Sequence, residues 1–283
     1  MAKYTIIADS SCDLRASDVK SPKVDFDTVP LSIIINNESV VDEETLDTQE
    51  FVKSMKTNTS KPATACPSPE AFADKIRNGG DIVFVVTITS KLSGTYNSAR
   101  LAAEQVASED PKKKIFVLDT LSASAGATIM IYELVKLIEA DKYTFEQLCD
   151  KISKIRDNTR VRFVLQDFGN LIKTGRMSKV KAVIASVLNY KLICGDNGEG
   201  EIKPVTKTMG MKKAIVALCD CVSDKKDGAK DMPIVISHCH NEEEANILKD
   251  QITAKYGFTN IRIIPMRGLA CFYANDKGML LSY

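Results

Sequence analysis

Ile82-Val83-Phe84-Val85-Val86-Thr87, followed by Ile88-Thr89-Ser90-Lys91-Leu92-Ser93-Gly94-Thr95 and the amphipathic Ser98–Ser108, is the stretch on which the fold turns. An unbroken apolar run rich in β-branched side chains has no polar face to offer water. It therefore reads as a strand covered on both sides, as in a parallel sheet. A loop of hydroxyls follows, and the loop opens a helix. The same order recurs along the chain. Tyr4–Ala8, Ile115–Leu118, Val161–Leu165, Ile234–Ser237 and Ile261–Pro265 are runs of the same kind. Between them Pro69–Arg77, Ala123–Ala140, Phe145–Asp157, Met211–Val222 and Asn241–Tyr256 have helical periodicity. Within Ala127–Leu137, for instance, Ile129, Ile131, Leu134, Val135 and Leu137 make a wide apolar face. Strands alternating with helices in this way predict an α/β fold.

Near residue 160 the pattern changes. Asn170–Lys203 holds Lys173, Gly175, Arg176, Lys179 and Lys181, then the apolar Val187-Leu188-Asn189-Tyr190-Lys191-Leu192-Ile193-Cys194. Next come Gly195-Asp196-Asn197-Gly198-Glu199-Gly200 and a returning Glu201-Ile202-Lys203, the signature of a hairpin. Antiparallel pairing therefore begins here. The expected organisation is an N-terminal α/β domain over 1–159 with a mainly parallel sheet, and a C-terminal α/β domain over 160–283 with a mixed sheet. A length of 283 residues suits two domains of about 100–200 residues each. With no repeat, low-complexity tract or long linker, the two are expected to pack closely.

Composition narrows the function. Lys and Arg number 38 against 37 Asp and Glu, a net charge of +1, so phosphate neutralisation along a nucleic acid is not expected. Two His and no Trp leave little for a multi-His metal site, and chemistry must rest on hydroxyls, carboxylates, Lys and Arg. No stretch reaches the roughly 18 apolar residues that span a bilayer. The first residues read as a strand rather than a secretory leader, which predicts a soluble, cytoplasmic protein. The eight cysteines (12, 66, 149, 194, 219, 221, 239 and 271) are too sparse for a disulfide scaffold and form no CxxC. Cys219-Asp220-Cys221 with His238-Cys239-His240 offers four tetrahedral ligand types. Two residues apart on a helix, however, Cys219 and Cys221 project to different sides. Free thiols are the better reading, and neither a metal nor a cofactor is expected.

The familiar phosphate-loop, dinucleotide, nucleophile-elbow and zinc-protease motifs are all absent from the sequence. Gly169-Asn170-Leu171-Ile172-Lys173-Thr174-Gly175-Arg176 has the wrong glycine spacing for a phosphate loop, and Arg in place of its Lys. What remains are hydroxyls at strand ends: Asp9-Ser10-Ser11, then Thr87 to Thr95, then Asp119-Thr120-Leu121-Ser122-Ala123-Ser124. Open α/β sheets bind ligands beyond the carboxyl ends of their strands, where helix N-termini expose N–H groups. Three such loops form a neutral, donor-rich cup suited to a carboxylate or phosphate. Ser and Thr are also the preferred helix N-caps, and capping alone accounts for any one loop. All three together favour binding, and the lack of a Cys, His or Lys nucleophile argues against covalent catalysis.

Ala8-Asp9-Ser10-Ser11-Cys12-Asp13-Leu14, Thr64-Ala65-Cys66-Pro67-Ser68-Pro69, Ser90-Lys91-Leu92-Ser93-Gly94-Thr95-Tyr96-Asn97-Ser98-Ala99, Asp119-Thr120 with Ser122 and Gly126, and Lys173-Thr174-Gly175-Arg176-Met177-Ser178-Lys179 together resemble the DegV family over essentially the full chain. The resemblance implies a bacterial fatty-acid-binding protein of two α/β domains that is not itself an enzyme. It implies a long-chain fatty acid in an apolar tunnel, its carboxylate between the domains. A separate fatty acid kinase then phosphorylates that carboxylate with ATP to an acyl phosphate. The motif positions carried over as carboxylate contacts are Thr64 and Ser93, with the Ser93-Gly94-Thr95 backbone beside them. Asp9, Ser10, Ser11, Asp119, Ser122, Arg176, Arg267 and Tyr273 are candidate lining residues. Two departures stand out. The family's C-terminal His-Thr-Gly-Pro-Gly is replaced by Arg267-Gly268-Leu269-Ala270-Cys271-Phe272-Tyr273-Ala274-Asn275, so the carboxylate either loses that contact or takes it from Arg267 or Tyr273. An Arg expected after the second-domain hairpin is missing too, with Lys207 as its replacement.

Val187, Leu188, Leu192, Ile193, Leu269, Phe272, Met279 and Leu280 are tunnel candidates that ordinary core packing explains better. Two other classes remain open. One is a small-molecule phosphotransferase, related folds occurring in dihydroxyacetone kinases, with Asp9, Asp119 and Asp167 holding Mg²⁺. The other is a regulatory module for a different amphiphilic acid.

Overall fold

The computed structural model describes residues 2–177 and 190–283. Its first sheet is parallel throughout, in the order β2 (Val24–Val29), β1 (Tyr4–Asp9), β6 (Ile82–Thr87), β7 (Lys114–Asp119). Successive side chains on a strand point to opposite faces, and both faces are buried. Ile7, Val83 and Val85 pack under α2 (Pro69–Arg77) and α3 (Thr95–Glu109) with Phe72 and Ala99. Ile6, Ala8, Phe84 and Val86 pack under α4 (Ala125–Glu139) and α5 (Phe145–Asn158) with Ile131, Leu134 and Leu148. Local chemistry sets the helix starts. Ser68 Oγ accepts from Ala71 N at 3.2 Å with Pro69 in the first turn, and Thr144 and Gln147 cap one another.

The second sheet is mixed, in the order β10 (Ile202–Thr208), β9 (Lys191–Asp196), β8 (Val161–Val164), β13 (Met279–Ser282), β11 (Ile234–His238), β12 (Ile261–Pro265). Of its pairings only β11 with β12 is parallel. The run at 234 is fully buried and the run at 161 is buried except at Arg162, but the two are not parallel neighbours. β13, four residues long, lies between them and runs antiparallel to both. The hairpin is present: its glycines at 198 and 200 both have left-handed φ, while Gly195 and Asp196 belong to β9 rather than to the turn. Val187 and Leu188 lie outside the described residues.

One face of this sheet is covered by α7 (Met211–Cys221) and α8 (Glu242–Tyr256). The other is covered by a small antiparallel sheet from early in the chain, β4 (Glu38–Val41), β3 (Ser32–Ile35), β5 (Ala63–Ala65), together with α1 (Thr48–Met55), α6 (Gly169–Lys173) and α9 (Gly268–Ala274). Leu31, Ile33 and Phe51 share one apolar cluster with Phe163, Leu269 and Phe272, so hydrophobic packing crosses the 159/160 position extensively. Among the described residues no helix is long and apolar enough to cross a membrane.

Candidate functional site

The loops that leave β1, β6 and β7 converge, and two aspartates hold the middle one. The Asp9 carboxylate accepts from Ser11 N at 3.0 Å and from Ile88 N at 2.6 Å. Asp119 Oδ1 accepts from Ser90 N and from Leu121 N, both at 3.1 Å. The post-β6 loop is thus pinned from both sides. Thr89 N to Ser122 O (2.8 Å) and Thr120 Oγ1 to Thr87 O (2.8 Å) add two cross-links. Thr89 Oγ1 also donates to Gly200 O at 3.1 Å, docking the β9–β10 turn onto the same loop. Gly200 has φ +88°, and a Cβ there would collide with Thr89 Oγ1.

Between these loops, the hairpin, β8 and α9 lies a cavity with about 120 Å³ open to the centre of a water molecule. At roughly 10–15 Å³ for each water-sized group, that is room for about ten such groups in line. Its walls are largely apolar, with Leu31, Leu121, Phe163, Leu165, Leu171 and Leu280 among them. The polar groups gather as hydroxyl pairs. Ser93 Oγ and Thr95 Oγ1 are 2.8 Å apart, and Thr95 N donates to Ser93 Oγ at 3.3 Å. Thr64 Oγ1 and Tyr273 OH are 2.9 Å apart. A Cβ on Gly94 would meet Cys66 Sγ at 3.4 Å, so the end of β5 lies against the Ser93 loop and the two pairs occupy the same end of the site. Each pair has two O–H protons and uses one to join its members. Among the described residues the other is left to give away.

A third hydroxyl, Ser122 Oγ, is buried in the wall without a hydrogen-bond partner among the described residues. Gly126 makes room for it: a Cβ at 126 would strike Ser122 Oγ and lie 2.8 Å from Val161 Cγ2. The same loop holds Leu121 and Ser124 at φ +52°, an unusual backbone for residues with a side chain, of the kind that clusters at binding sites.

Of the residues singled out from sequence, Thr64, Ser93, Ser11, Ser122, Arg176 and Tyr273 line the cavity. Arg176 Nε donates to Leu92 O at 3.3 Å, bracing the Ser93 loop. Gly94 and Thr95 stand directly behind, at the start of α3. Asp9, Ser10 and Asp119 do not line it. The aspartates are the loop pins, and Ser10 Oγ accepts from Leu31 N at 3.1 Å. Burial pushes the Asp9 carboxyl up to about 6 despite its two N–H donors.

Arg267 is likewise not in the cavity. It is one of the largest fully buried side chains. Its Nη1 donates to Leu14 O at 3.0 Å and to Thr28 Oγ1 at 3.3 Å, and its Nη2 to Asp42 O at 2.5 Å. Asp42 in turn accepts from Gly268 N (2.8 Å) and Leu269 N (3.1 Å), capping α9, while Asp13 accepts from Arg267 N (2.9 Å) and from Ser124 Oγ. Burial raises both carboxyls, Asp13 to about 7. The network therefore fixes α9, and α9 presents Leu269, Ala270 and Tyr273 to the cavity. Arg267 positions, and Tyr273 touches.

Among the tunnel candidates Leu269 and Leu280 are lining residues, whereas Leu192, Ile193, Phe272 and Met279 are core. Lys207 stands over the Tyr190 ring at 5.3 Å, on β10. Leu31, Leu121 and Phe163 escaped the sequence reading because nothing separates a wall residue from a core residue in one dimension. Asp9, Asp119 and Asp167 do not gather as a Mg²⁺ site. Asp167 receives Gly169 N and, at 2.9 Å, Asn275 Nδ2, and no metal-spaced group among the described residues includes any of the three. Nor do Cys219 and Cys221 meet His238 and His240.

The sequence model described as an uncharacterised protein of the DegV family matches residues 3–277. A DegV domain-containing protein of Streptococcus pyogenes serotype M1 is 34% identical over 280 residues, covering 99% of each chain. Among solved structures, the Streptococcus pneumoniae fatty acid kinase (Fak) B3 protein loaded with linoleic acid superimposes with a TM-score of 0.92 at 32% identity, covering 100% of this chain and 99% of that one. A Ruminococcus gnavus DegV family protein with vaccenic acid gives 0.92 at 31% identity over 100% and 99%. A Eubacterium eligens DegV family protein loaded with heptadecanoic acid gives 0.89 at 32% identity over 99% and 98%.

Proposed function

The chain belongs to the DegV family, and from that premise we propose that it binds a long-chain fatty acid in the cavity and presents the carboxylate to a separate kinase for conversion to an acyl phosphate. The chain performs no catalysis of its own. The 1–159 and 160–283 units meet around the ligand head.

One observation carries the reading: two hydroxyl pairs at one end of an apolar cavity, each with a proton to spare. A carboxylate has two oxygens and takes one proton from each pair, from Thr64–Tyr273 and from Ser93–Thr95. Tyr273 thereby supplies the contact that the family's C-terminal His gives elsewhere. The start of α3 behind Ser93 adds the favourable end of a helix. Site chemistry agrees, since neutral donors hold an anion without committing a permanent positive charge to it.

The tail dominates affinity. About ten buried methylenes, the number the cavity has room for, contribute roughly 8 kcal/mol at about 0.8 kcal/mol each before the cost of ordering chain and protein. A hydrogen bond to a charged group adds about 1.5–3 kcal/mol. The hydroxyls therefore choose which way round the lipid sits more than how tightly.

Mass spectrometry of organic extracts from the purified protein tests this directly. One fatty acid per chain is expected. Empty protein, or a different amphiphilic acid in stoichiometric amount, overturns the lipid assignment. The kinase step is tested with Ser93→Ala, which is expected to weaken fatty-acid binding modestly and to abolish acyl-phosphate formation with a partner kinase. Unchanged transfer by the variant removes Ser93 from that role.

A further inference from the structure

At the far side of α9 from the cavity, two cysteines and a histidine face one point. Cys239 Sγ, Cys271 Sγ and a ring nitrogen of His240 all lie within 4.8 Å of one another, with Cys239 Sγ 3.9 Å from His240 Nδ1. Both thiols are fully buried. A tetrahedral ion bonded to sulfur at about 2.3 Å and to nitrogen at about 2.0–2.1 Å needs ligand atoms about 3.5–3.8 Å apart. Side-chain rotations of well under a residue's width close the difference.

The imidazole is already oriented for this. His240 Nε2 is 3.1 Å from Thr48 Oγ1 at the start of α1. With Nε2–H donating to that hydroxyl, the lone pair of Nδ1 points at the thiols, the arrangement by which proteins set the tautomer of a metal-bound histidine. A carboxylate oxygen of Asp276 lies 3.5 Å from the same Nδ1 but outside the group of mutually close ligand atoms, so the fourth position falls to water. The backbone holds the two segments together, with Cys239 N donating to Gly278 O and Lys277 N to Cys239 O, each at 2.9 Å. His240 and Asp276 are partly exposed, which gives an ion a way in.

We propose that Cys239, Cys271 and His240 form a binding site for a thiophilic divalent cation of the Zn²⁺ type, with a solvent water as fourth ligand. On binding, each thiol gives its proton to solvent as its sulfur–metal bond forms. The two thiolates then balance the charge of the ion, so burying it carries no net charge into the core. The ion ties α9 to the loop after β11. It is a structural clamp behind Tyr273, independent of what occupies the cavity.

Titration of the reduced full-length protein with Co²⁺, followed by competition with Zn²⁺, tests the site. One equivalent of cobalt is expected, with near-ultraviolet sulfur-to-metal charge transfer and the visible bands of tetrahedral coordination, all displaced by zinc. Cys271→Ser and Cys239→Ser are expected to abolish the charge transfer, and Cys219→Ser to leave it intact. Because the buried serines could disturb folding, Thr48→Val and His240→Ala provide the second arm. Thr48→Val, at a positioning residue, is expected to weaken binding about 10- to 100-fold with the metal-free circular dichroism unchanged. Absence of charge transfer in the reduced protein overturns the site, as does its persistence in both cysteine variants. Recovery of Cys239 and Cys271 only as a disulfide, with no metal taken up after reduction, overturns it equally.

Discussion

Two polar clusters are buried within one helix of each other, at either end of α9, and they are built on opposite plans. Around Arg267, the carboxyls of Asp13 and Asp42 face one guanidinium and a series of backbone N–H groups, all within the protein, and Arg267 Nε lies 3.9 Å from Asp42 Oδ1 without a hydrogen-bond partner among the described residues. Around Tyr273, the hydroxyls are joined in pairs that leave donors over, and Ser122 Oγ has no partner among the described residues. A group whose partners lie within the protein specifies a structure; a donor held in reserve against an open cavity is available to a ligand. The difference separates framework from site more sharply than residue type does, since both clusters draw on strand-end Asp, Ser and Thr.

The comparison is broken most severely at Arg267. Arg267→Met leaves two buried carboxylates without their cation, and removal of one partner from such a pair costs about 3–5 kcal/mol. Urea denaturation is expected to show a loss of that order, and loss of bound lipid only as a consequence of it. A midpoint shift near zero would make Arg267 a ligand contact instead.

A smaller effect follows from protonation. Burial raises Asp9 from 3.8 to about 6 in the folded chain, so the native state binds a proton more tightly than the unfolded one. The corresponding stability is fully present below the unfolded value and is lost as pH rises through about 6, a change of about 3 kcal/mol for a shift of this size. Asp13, raised to about 7, extends the same trend upward. Asp9→Asn is expected to flatten the fall in thermal midpoint over this range. An unchanged slope would place the titration elsewhere.

Gly126→Ala attacks the reserve donors without touching a charge. Its Cβ displaces Ser122 Oγ and crowds Val161, and overpacking of this kind costs about 1–3 kcal/mol. Lipid retained through purification is expected to fall further than the stability loss accounts for. The smallest effect on stability is expected of Tyr273→Phe, which removes one O–H and keeps the ring: about 1.5–3 kcal/mol of ligand affinity is lost, as for a bond to a charged group, with the melting temperature unmoved. Titration with a fluorescent fatty acid resolves it, and wild-type affinity in this variant would leave the Thr64–Tyr273 pair without a role in binding.

Much of this architecture is legible in one dimension because strands buried on both faces cannot hide. Ile82–Thr87 and Pro69–Arg77 have in the structure the ends that composition implies. The short edge strands escape because they are not apolar runs: Val24–Val29 alternates with Asp25 and Asp27, and Ala63–Ala65 is only three residues long. At the site, the hydroxyl loops are visible, but not the division of labour within them. Whether an Asp at a strand end pins a loop or meets a ligand depends on which N–H groups face it, and for Asp9 one of those belongs to Ile88. Tyr273 and Thr64 are 209 residues apart in sequence, and Arg267 and Tyr273 are equivalent candidates until a fold separates them.

The small antiparallel sheet early in the chain bears on how the protein is made. Leu31, Ile33 and Phe51 find their cover on Phe163, Leu269 and Phe272. During synthesis these apolar residues leave the ribosome early and wait, unpaired, until most of the remaining sequence has followed. Such long-range closure slows folding and leaves a sticky intermediate exposed in the meantime. The three strands at 32–65 are thus a segment whose apolar side chains stay open through most of synthesis.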